Sequence, residues 1–534
     1  MKIKNFYILL FIISVSSVSF PQFSPQSFYM TKDGRMRKTA ANPTISSSNV
    51  SDIITIGDTI WAGTGQGLSL STDNGNTWKN FTNDQTFGTE GISAIGYYKG
   101  TFWAATAHDE NTSQGPVPTG SGLRYTTDFG KTWTIIPQPV DNDSDSVVVY
   151  GINHLHALAV TVPEQNVIYD MAFTPGTIWI ATWAGGVRKA RIDSLLIDPS
   201  YKWQRVILPP DNLDSIKPTD TLDFCYTPVA GKICTEDNLN LRGFSVLAVN
   251  DSTVYAGTAG GLNKTTDANS EYPSWIKFSH TNENNPISGN FVVALGYNKS
   301  NNTVWAASWQ AEGSSEFYGV SYTTDGGANW RTSLNGEKVH NFAFNDNQVI
   351  APSDDGAFRT TDNGANWILP SSIVDANSGV SIASTTFYAA GFNNNYVWLG
   401  ADDGLARLAE NPGSIWDGKW TVYFASQPLS STSSTYAYPN PFNPRTDILK
   451  IKYSTNGNDV PVTIRIFDFG MHIVRTVVQN ATRGATHSID QAGGVVDYWD
   501  GLDDAGNMVP NGVYFYSVDA GSGKPIYGKI IVIH

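Results

Sequence analysis

The chain has 534 residues, of which 40% are apolar, 12% are aromatic and 15% are charged. This low charge content excludes a coiled coil, and the apolar content excludes a disordered chain. The 34 basic and 48 acidic residues give a net charge of −14, which argues against the basic face that binding to nucleic acid or an anionic membrane requires. With 49 glycines, the composition indicates turn-rich, all-β structure.

Residues 1–19 have the pattern of an export signal. Lys2 and Lys4 precede an apolar run over residues 6–13, and Ser17 and Ser19 form a small pair before the expected cleavage site. The run is too short to cross a bilayer, and no later apolar run reaches the ~18 residues that a membrane span needs. We therefore predict an exported protein without a transmembrane segment in its mature chain; a retained membrane anchor is the alternative.

After an N-terminal segment over residues 20–45, one unit recurs seven times between residues 46 and 426. Each unit is predicted to have four strands, named a to d: an alternating strand, a strand with an aromatic or apolar centre, a Gly-Leu-Ser or Gly-Leu-Arg segment, and a strand that begins at a second Trp. The central strands b cover residues 59–63, 101–105, 177–181, 253–257, 303–307, 348–351 and 396–400. Four short strands repeated seven times predict a seven-bladed β-propeller.

A second motif, Ser/Thr-x-Asp-x-Gly-x-x-Trp, lies between strands c and d. Its intact copies contain Asp73, Gly75 and Trp78; Asp128, Gly130 and Trp133; Asp325, Gly327 and Trp330; and Asp362, Gly364 and Trp367. We expect the Asp to accept backbone N–H bonds in a tight turn, the Gly to supply positive φ and the Trp to pack between blades. The motif resembles the Asp-box, or BNR repeat, of sialidases, sortilin-type receptors, xyloglucanases and photosystem assembly factors. We predict that these residues are structural and not catalytic.

A polar linker over residues 427–436 leads to a second domain at 437–534. Alternating strands over about 100 residues predict an immunoglobulin-like β-sandwich. The segment Tyr438–Pro444 and the strand that begins at Gly512 resemble C-terminal sorting domains of type IX secretion substrates, whereas the stretch from Trp499 to Asn507 resembles the Ig-like domain of the flagellar hook-capping protein FlgD. The resemblance implies that this domain engages the secretion machinery of a Bacteroidetes-like envelope; a plain accessory Ig-like domain is the alternative.

Three long connections fall on one face of the predicted propeller, at residues 107–120, 139–165 and 209–242. Loops on a rigid scaffold are where binding sites are usually built. The third connection carries Cys225 and Cys234, for which we predict a disulfide because the protein is exported; two free thiols are the alternative.

Candidate ligand-binding residues lie in the loops of that face. Trp183 and Trp309 stand outside the repeated packing positions, so they are free either to stack on sugar rings, to grip a protein loop or to pack locally under the loops. The polar candidates are His108, Asp109, Glu110, Glu312, Glu316, Asp354, Asp355, Asp402 and Asp403. Paired carboxylates could hydrolyse a glycoside or bind a cation, but solvation of an acidic rim is the simpler interpretation.

We predict no cofactor and no metal site. Asp141, Asp143 and Asp145 alternate as calcium ligands do, but Ser146 and Ile152 stand where an EF-hand needs Gly and Glu. His154 and His156 share one side of a predicted strand but lack a third ligand.

The sequence therefore favours a secreted or cell-surface propeller that binds a polysaccharide or protein ligand without catalysis. The alternative is an extracellular glycoside hydrolase of the Asp-box type. A sialidase would need an arginine cluster in the rim loops, whereas Arg124, Arg359 and Arg407 lie on predicted strands c.

Overall fold

A computed structural model describes residues 44–113, 115–227, 234, 238–311, 315–376, 381–393, 395–425, 435–455, 458–484, 495–521 and 525–534. The predicted export signal, the segment up to residue 43, Glu312 and most of the linker lie outside the described residues. Within them the chain is almost entirely β-structure, with one short helix α1 (Ile192–Ile197) and a single 3-10 turn at Leu239–Leu241.

The first half of the chain forms consecutive antiparallel sheets. The first contains β1 (Val50–Ile56), β2 (Thr59–Thr64), β3 (Gly67–Ser71) and β4 (Lys79–Phe81). The second contains β5 (Gly91–Tyr98), β6 (Thr101–Thr112), β7 (Gly115–Thr126) and β8 (Thr134–Ile136). A separate hairpin follows, β9 (Val147–Tyr150) with β10 (Asn153–His156). The third sheet contains β11 (Ile168–Thr174), β12 (Thr177–Thr182), β13 (Gly186–Arg191) and β14 (Gln204–Arg205).

Four more sheets follow in the same order. The fourth contains β16 (Gly243–Ala248), β17 (Val254–Thr258), β18 (Leu262–Thr265) and β19 (Trp275–Phe278), with β15 (Ser215–Ile216) as a fifth, outermost strand. The fifth contains β20 (Phe291–Asn298), β21 (Thr303–Trp309), β22 (Gly319–Thr323) and β23 (Arg331–Ser333). The sixth contains β24 (Ala343–Asn345), β25 (Gln348–Ser353) and β26 (Gly356–Thr360). The seventh contains β27 (Phe387–Phe392), β28 (Val397–Ala401), β29 (Leu405–Glu410) and β30 (Gly418–Tyr423).

The first strands of these sheets form a closed ring. β1 contacts β5, and the contacts continue through β11, β16, β20, β24 and β27 back to β1. The apolar alternation of the sequence explains the packing, because five of the seven second strands have a central Trp that is almost fully buried between neighbouring sheets. These residues are Trp61, Trp103, Trp179, Trp305 and Trp398.

Two local features differ from the sequence predictions. The connection at 107–120 is not an open loop, because β6 and β7 continue pairing from Ala107 opposite Gly120 to Thr112 opposite Gly115 and form a projecting hairpin. The sixth sheet has three strands instead of four; its outer position holds only an isolated bridge between Arg359 and Ile368. Pro370, which has no N–H to donate, ends this pairing.

The C-terminal residues form a separate all-β unit of two sheets. One sheet has the strand order β31 (Thr435–Tyr438), β32 (Leu449–Tyr453), β35 (Val495–Trp499). The other has the order β34 (Ile473–Arg483), β33 (Val460–Phe467), β36 (Gly512–Asp519), β37 (Ile526–Val532). Their shared core includes Trp499, whose ring centre lies 5.6 Å from that of Phe442. The Ser381 hydroxyl next to the seventh sheet donates to the Asp447 carboxylate of this unit at 3.0 Å.

Candidate functional site

The four copies of Ser/Thr-x-Asp-x-Gly-x-x-Trp form tight turns with one hydrogen-bond pattern. Asp128 accepts the Thr132 N–H at 2.9 Å and the Thr132 hydroxyl at 2.7 Å, while the Thr126 hydroxyl accepts the Gly130 N–H at 2.9 Å. The Thr132 bonds lower the pKa of Asp128 to about 2. Corresponding bonds are made to Asp73 by Thr77, to Asp325 by Asn329 and to Asp362 by Asn366. Both carboxylate oxygens of Asp128 thus accept hydrogen bonds from groups of its own turn.

The Gly of the motif is required where sheets meet. Gly75 has φ +83°, and a Cβ on it would lie 2.7 Å from both the Trp398 ring and the Tyr423 hydroxyl of the seventh sheet. The motif's Trp78 packs edge-on against the same two rings, at 6.3 and 5.6 Å between ring centres.

Trp183 and Trp309 differ in accessibility. Trp309 is 5% exposed, its indole N–H donates to the Val339 carbonyl at 3.2 Å, and the Lys338 ammonium lies 5.9 Å from its ring centre. Trp183 is half-buried, with the Arg242 guanidinium 4.9 Å from its ring centre. Trp183 therefore offers more surface to a ligand than Trp309 does.

The two tryptophans belong to two runs of rings, which together we call the aromatic arc: Trp183, Phe244 and Phe291 form one run, and Trp309, His340 and Tyr388 form the other. Phe291 and Trp309 stand opposite each other on the paired strands β20 and β21. The ring centres are 5.1 Å apart for Trp183–Phe244, 5.7 Å for Phe244–Phe291, 5.6 Å for Trp309–His340 and 5.1 Å for His340–Tyr388. The arc joins the third to the seventh sheets on the face that carries the insertions. Most of its rings are buried, so its main physical contribution is packing between sheets.

His108 lies in a polar network on the projecting hairpin. Its Nδ1 is 3.2 Å from the Glu90 carboxylate and 2.9 Å from the Ser121 hydroxyl, and its Nε2 is 3.5 Å from the Glu110 carboxylate. The hydrogen bond to Glu90 raises the pKa of His108, whereas burial raises the pKa of neighbouring Asp109. The network favours the imidazolium form of His108 and fixes the base of the hairpin.

The acidic residues at the sixth sheet form a cluster. His340 Nε2 lies 2.8 Å from the Asp354 carboxylate and lowers its pKa. Burial, and then the neighbouring carboxylates of Asp355 and Asp354, raises the pKa of Glu337. Lys338 follows Glu337 in the chain and connects this cluster to the Trp309 ring.

Asp402, Asp403 and Glu316 bind local groups. Asp402 accepts the side-chain N–H of Asn49 at 2.8 Å, which joins the seventh sheet to the residue before the first. Asp403 accepts the N–H groups of Ala383 and Ser384 at 2.8 and 3.0 Å, and burial raises its pKa. Glu316 accepts the Ala311 N–H at 2.8 Å. These three carboxylates therefore stabilise the conformation of the loops around them by hydrogen bonding.

A buried ion pair fastens one long insertion to the ring, and a disulfide closes a loop within another. Asp141 is bound at 2.8 and 3.0 Å by the Arg188 guanidinium and at 2.7 Å by Arg205, and the side chains of all three are nearly inaccessible. Cys225 and Cys234 are joined in a disulfide, with their Cα atoms 6.3 Å apart. The insertion face is therefore anchored to the ring and not a set of independent loops.

Arg188 belongs to a group that the sequence analysis missed. In five sheets a buried polar residue stands two positions after the Gly at the start of the third-strand segment. Its side chain forms a hydrogen bond with the segment that precedes the first strand of the same sheet. In the third sheet the bonded segment is the preceding insertion. The pairs are Ser69 with Ser46, Arg124 with Thr86, Arg188 with Asp141, Asn263 with Asn240 and Ser321 with Ser288. We call these residues the latch positions; their constant distance from the Gly is a signal that the sequence does contain.

Among the described residues, no group of three or more His, Cys, Asp or Glu side chains is arranged to hold a metal ion. In the same part of the chain, no helix has the length and apolar character needed to cross a membrane.

Comparison with known proteins gives no family assignment. No protein-family model and no curated protein matches the chain. Solved structures with a similar arrangement include PorZ, a surface component of the type IX secretion system of Porphyromonas gingivalis, at 14% identity over 89% of this chain with a TM-score of 0.33. An ancestral GH74 enzyme matches at 13% identity over 92% of this chain with a TM-score of 0.48, and YCF48 from Cyanidioschyzon merolae at 15% over 68% with a TM-score of 0.39. The chain spans 64% of the length of PorZ, 63% of the GH74 enzyme and 97% of YCF48.

Proposed function

We propose that this protein is an exported seven-bladed Asp-box β-propeller with a C-terminal Ig-like domain, and that it binds a polysaccharide or protein ligand without catalysis. The closed ring of first strands and the repeated Asp-box turns support the propeller. The two-sheet C-terminal unit with its own core supports the Ig-like domain.

The observation that carries the binding proposal is the anchored insertion face. It combines a projecting hairpin, one insertion fastened to β13 by a buried ion pair, a second insertion closed by a disulfide, and the accessible end of the aromatic arc at Trp183. The ligand-binding group we propose consists of Trp183, Trp309, His108, Asp109, Glu110, Asp354, Asp355, Asp402 and Asp403. A preformed surface of this kind loses little conformational entropy on binding.

A glycan array probed with the full mature chain tests this proposal. We expect the chain to bind one or more glycans on the array, and we expect this binding to fall at least tenfold in Trp183→Ala. Ile197→Ala is the matched control, because Ile197 is 86% exposed on helix α1 and lies outside the proposed group. Binding unaffected by Trp183→Ala would contradict the proposed site.

Glycoside hydrolysis is the second candidate function. The observation that favours it is the cluster of three carboxylates, Glu337, Asp354 and Asp355, in which burial and the neighbouring carboxylates raise the pKa of Glu337. Glycoside hydrolysis uses a pair of carboxyl groups whose pKa values are pushed apart by their environments. If the chain is a hydrolase, released sugar will be measurable from the glycans it binds, and Glu337→Gln will abolish the release while binding persists. Absence of release with every bound glycan would exclude this candidate.

We further propose that the C-terminal domain engages a type IX secretion machinery. Its characteristic Tyr438–Pro444 segment is fastened to the last strand, since Asn440 accepts the Ile531 N–H at 2.8 Å and the Phe442 N–H donates to the Ile531 carbonyl at 2.8 Å. Deleting residues 437–534 in the native host should retain the protein in the periplasm, as measured by cell fractionation. Normal surface export of the deleted form would refute this role.

A further inference from the structure

A cavity of about 400 Å³ lies on the face opposite the insertions, between the sixth and seventh sheets. Its walls are the β24–β25 turn around Asn345, the β27–β28 turn around Asn395 and Tyr396, and the β29–β30 connection over residues 411–415. None of the residues proposed as a ligand site from the sequence lines it.

Two departures from the repeat create this cavity. The sixth sheet lacks a regular outer strand, and the seven-residue connection of the seventh sheet, residues 411–417, does not have the Ser/Thr-x-Asp-x-Gly-x-x-Trp sequence that is found in four other sheets. Trp416 anchors that connection: its indole N–H donates to the Ile368 carbonyl at 2.8 Å and its backbone N–H to the Glu410 carboxylate at 2.7 Å. The connection therefore forms a fixed wall against the incomplete outer edge of the sixth sheet.

The charge at the base of the cavity is neutralised. Arg359, whose side chain is 2% exposed, binds Glu410 through two hydrogen bonds of 2.7 and 2.9 Å. Its guanidinium also lies 5.0 Å from the Trp416 ring and 5.4 Å from the Phe392 ring. The remaining lining side chains are uncharged, so the cavity has no net charge to attract an ion.

The lining has the donor and acceptor pattern of a polyhydroxyl site. It contains several primary amides, each of which both donates and accepts hydrogen bonds as a sugar hydroxyl does, and two aromatic side chains, Phe392 and Tyr396. The side chains of Asn345 and Asn395 are exposed and make no hydrogen bond within the described part of the chain. They are available to a ligand, while aromatic rings can pack on the C–H face of a pyranose.

From this lining we infer that the cavity between the sixth and seventh sheets is a second binding site, for one or two units of a neutral glycan. The inference does not depend on the insertion face, since the two sites lie on opposite faces of the ring and share no residue.

Calorimetric titration of the full mature chain tests the inference. The probes are cellohexaose, xylohexaose, mannohexaose and maltohexaose, with hexagalacturonate as a charged comparison. We expect at least one neutral probe to bind with a Kd of about 0.1–1 mM. The double variant Asn345→Ala/Asn395→Ala should weaken it about tenfold, as the loss of two hydrogen bonds predicts, with an unchanged unfolding temperature.

Two controls separate this site from the insertion face. Asn335→Ala removes an exposed amide that does not line the cavity and should leave affinity within twofold. Trp183→Ala should also leave it unchanged. The inference is overturned if no neutral probe binds, if hexagalacturonate alone binds, if the double variant binds as the wild type does, or if Trp183→Ala abolishes the binding.

Discussion

At the scale of single residues, four of the candidate ligand-binding side chains share one position of the repeat. Trp183, Trp309, Asp354 and Asp402 each stand four residues after the centre of their sheet's second strand. In the seventh sheet the residue at this position, Asp402, accepts a hydrogen bond from Asn49, which precedes the first sheet. In the third and fifth sheets the residues are Trp183 and Trp309, and a cationic side chain that precedes the first strand of the next sheet lies over each ring: Arg242 over Trp183 and Lys338 over Trp309. The position is thus a seam between neighbouring sheets, which is why residues there are partly structural.

The hydrogen-bonded carboxylates of the Ser/Thr-x-Asp-x-Gly-x-x-Trp turns make the free energy of unfolding depend on pH. The pKa values of Asp128, Asp325 and Asp362 are lowered to about 2 from an ordinary 3.8, so the stabilisation is complete above about pH 4 and is lost as the pH falls toward 2. The triple variant to Asn should be less stable at pH 7 and should lose less stability between pH 4 and pH 2 than the wild type, as measured by urea unfolding. Asp251→Asn is the control, because Asp251 is exposed and makes no side-chain hydrogen bond within the described residues. An unchanged acid slope in the triple variant would contradict the prediction.

The sequence predicted where the Ser/Thr-x-Asp-x-Gly-x-x-Trp turns lie, but not which residues pack around the candidate ligand-binding residues. The motif is local: Asp, Gly and their hydrogen-bond partners lie within seven residues, so spacing alone defines it. The environment of Trp309 depends on Val339 and Lys338, about 30 residues away and in the next unit, which no local pattern indicates.

At the scale of elements, the latch positions explain how irregular connections remain attached to a regular ring. A buried polar side chain on the third strand satisfies groups in the segment it holds, and a buried group that loses its partner is costly. Arg188 is the extreme case, with a side chain 2% exposed. Because arginine is seldom buried, composition and hydropathy predict an exposed side chain at this position. The role of Arg188 as a latch position is seen only when the repeats are aligned, which places it with Ser69, Arg124, Asn263 and Ser321.

Arg188→Met should lower the free energy of unfolding by about 2 kcal/mol or more. The variant leaves the Asp141 carboxylate buried with Arg205 as its remaining ion-pair partner. Arg191→Met is the matched control, since the Arg191–Asp193 pair is about 60% exposed and should leave the free energy of unfolding nearly unchanged. Chemical denaturation of both variants measures the difference, and equal effects would argue against the latch.

The projecting hairpin shows where periodicity stops being informative. Residues from His108 to Thr112 are polar on both faces, because neither face of the projecting part packs on the core. Strand prediction relies on alternation between a buried and an exposed face, so this segment was predicted as a loop.

At the scale of the whole molecule, two carboxylates lie at the middle of the ring. Asp52 on β1 accepts the Ile95 N–H from β5 at 3.3 Å and a side-chain N–H of Asn341 at 3.3 Å. Asn341 precedes the first strand of the sixth sheet, which does not adjoin the first sheet, so this contact crosses the centre. Burial raises the pKa of Asp52 and of Asp170 on β11 to about 7, the latter with a contribution from Asp52.

Neutral pH should therefore weaken the ring. The folded-state pKa of Asp170 exceeds its unfolded value of 3.8, so the stability it contributes is present below about pH 4 and is lost as the pH rises through 7. Asp170→Asn should stabilise the protein by about 1 kcal/mol at pH 8, after allowing for solvent near the group, and should have little effect at pH 4. Thermal unfolding at both pH values measures this, with Asp251→Asn as control; destabilisation at pH 8 would contradict it.

Ring closure depends on side chains that join the last sheet to the first. No strand is exchanged between these sheets in the described residues, since β1 to β4 and β27 to β30 each come from one stretch of chain. Trp398 is fully buried against Trp78. Trp398→Ala should therefore lower the free energy of unfolding of the ring by about 3–5 kcal/mol. Calorimetry should show a lower unfolding temperature for the ring and an unchanged one for the C-terminal unit. Phe129→Ala, at a 53% exposed ring, is the control, and a loss of stability equal to that of Trp398→Ala would refute the role of closure.

The same closure leaves the two ends of the ring side by side, since the Ala425 N–H donates to the Ser48 hydroxyl at 3.0 Å. Because no strand crosses this junction, the ring has no topological starting point. A circular permutant, with residues 44 and 425 bridged and new termini opened at the exposed turn of Lys99 and Gly100, should assemble the same ring. The place where the chain begins and ends is thereby independent of the order of the sheets around the ring.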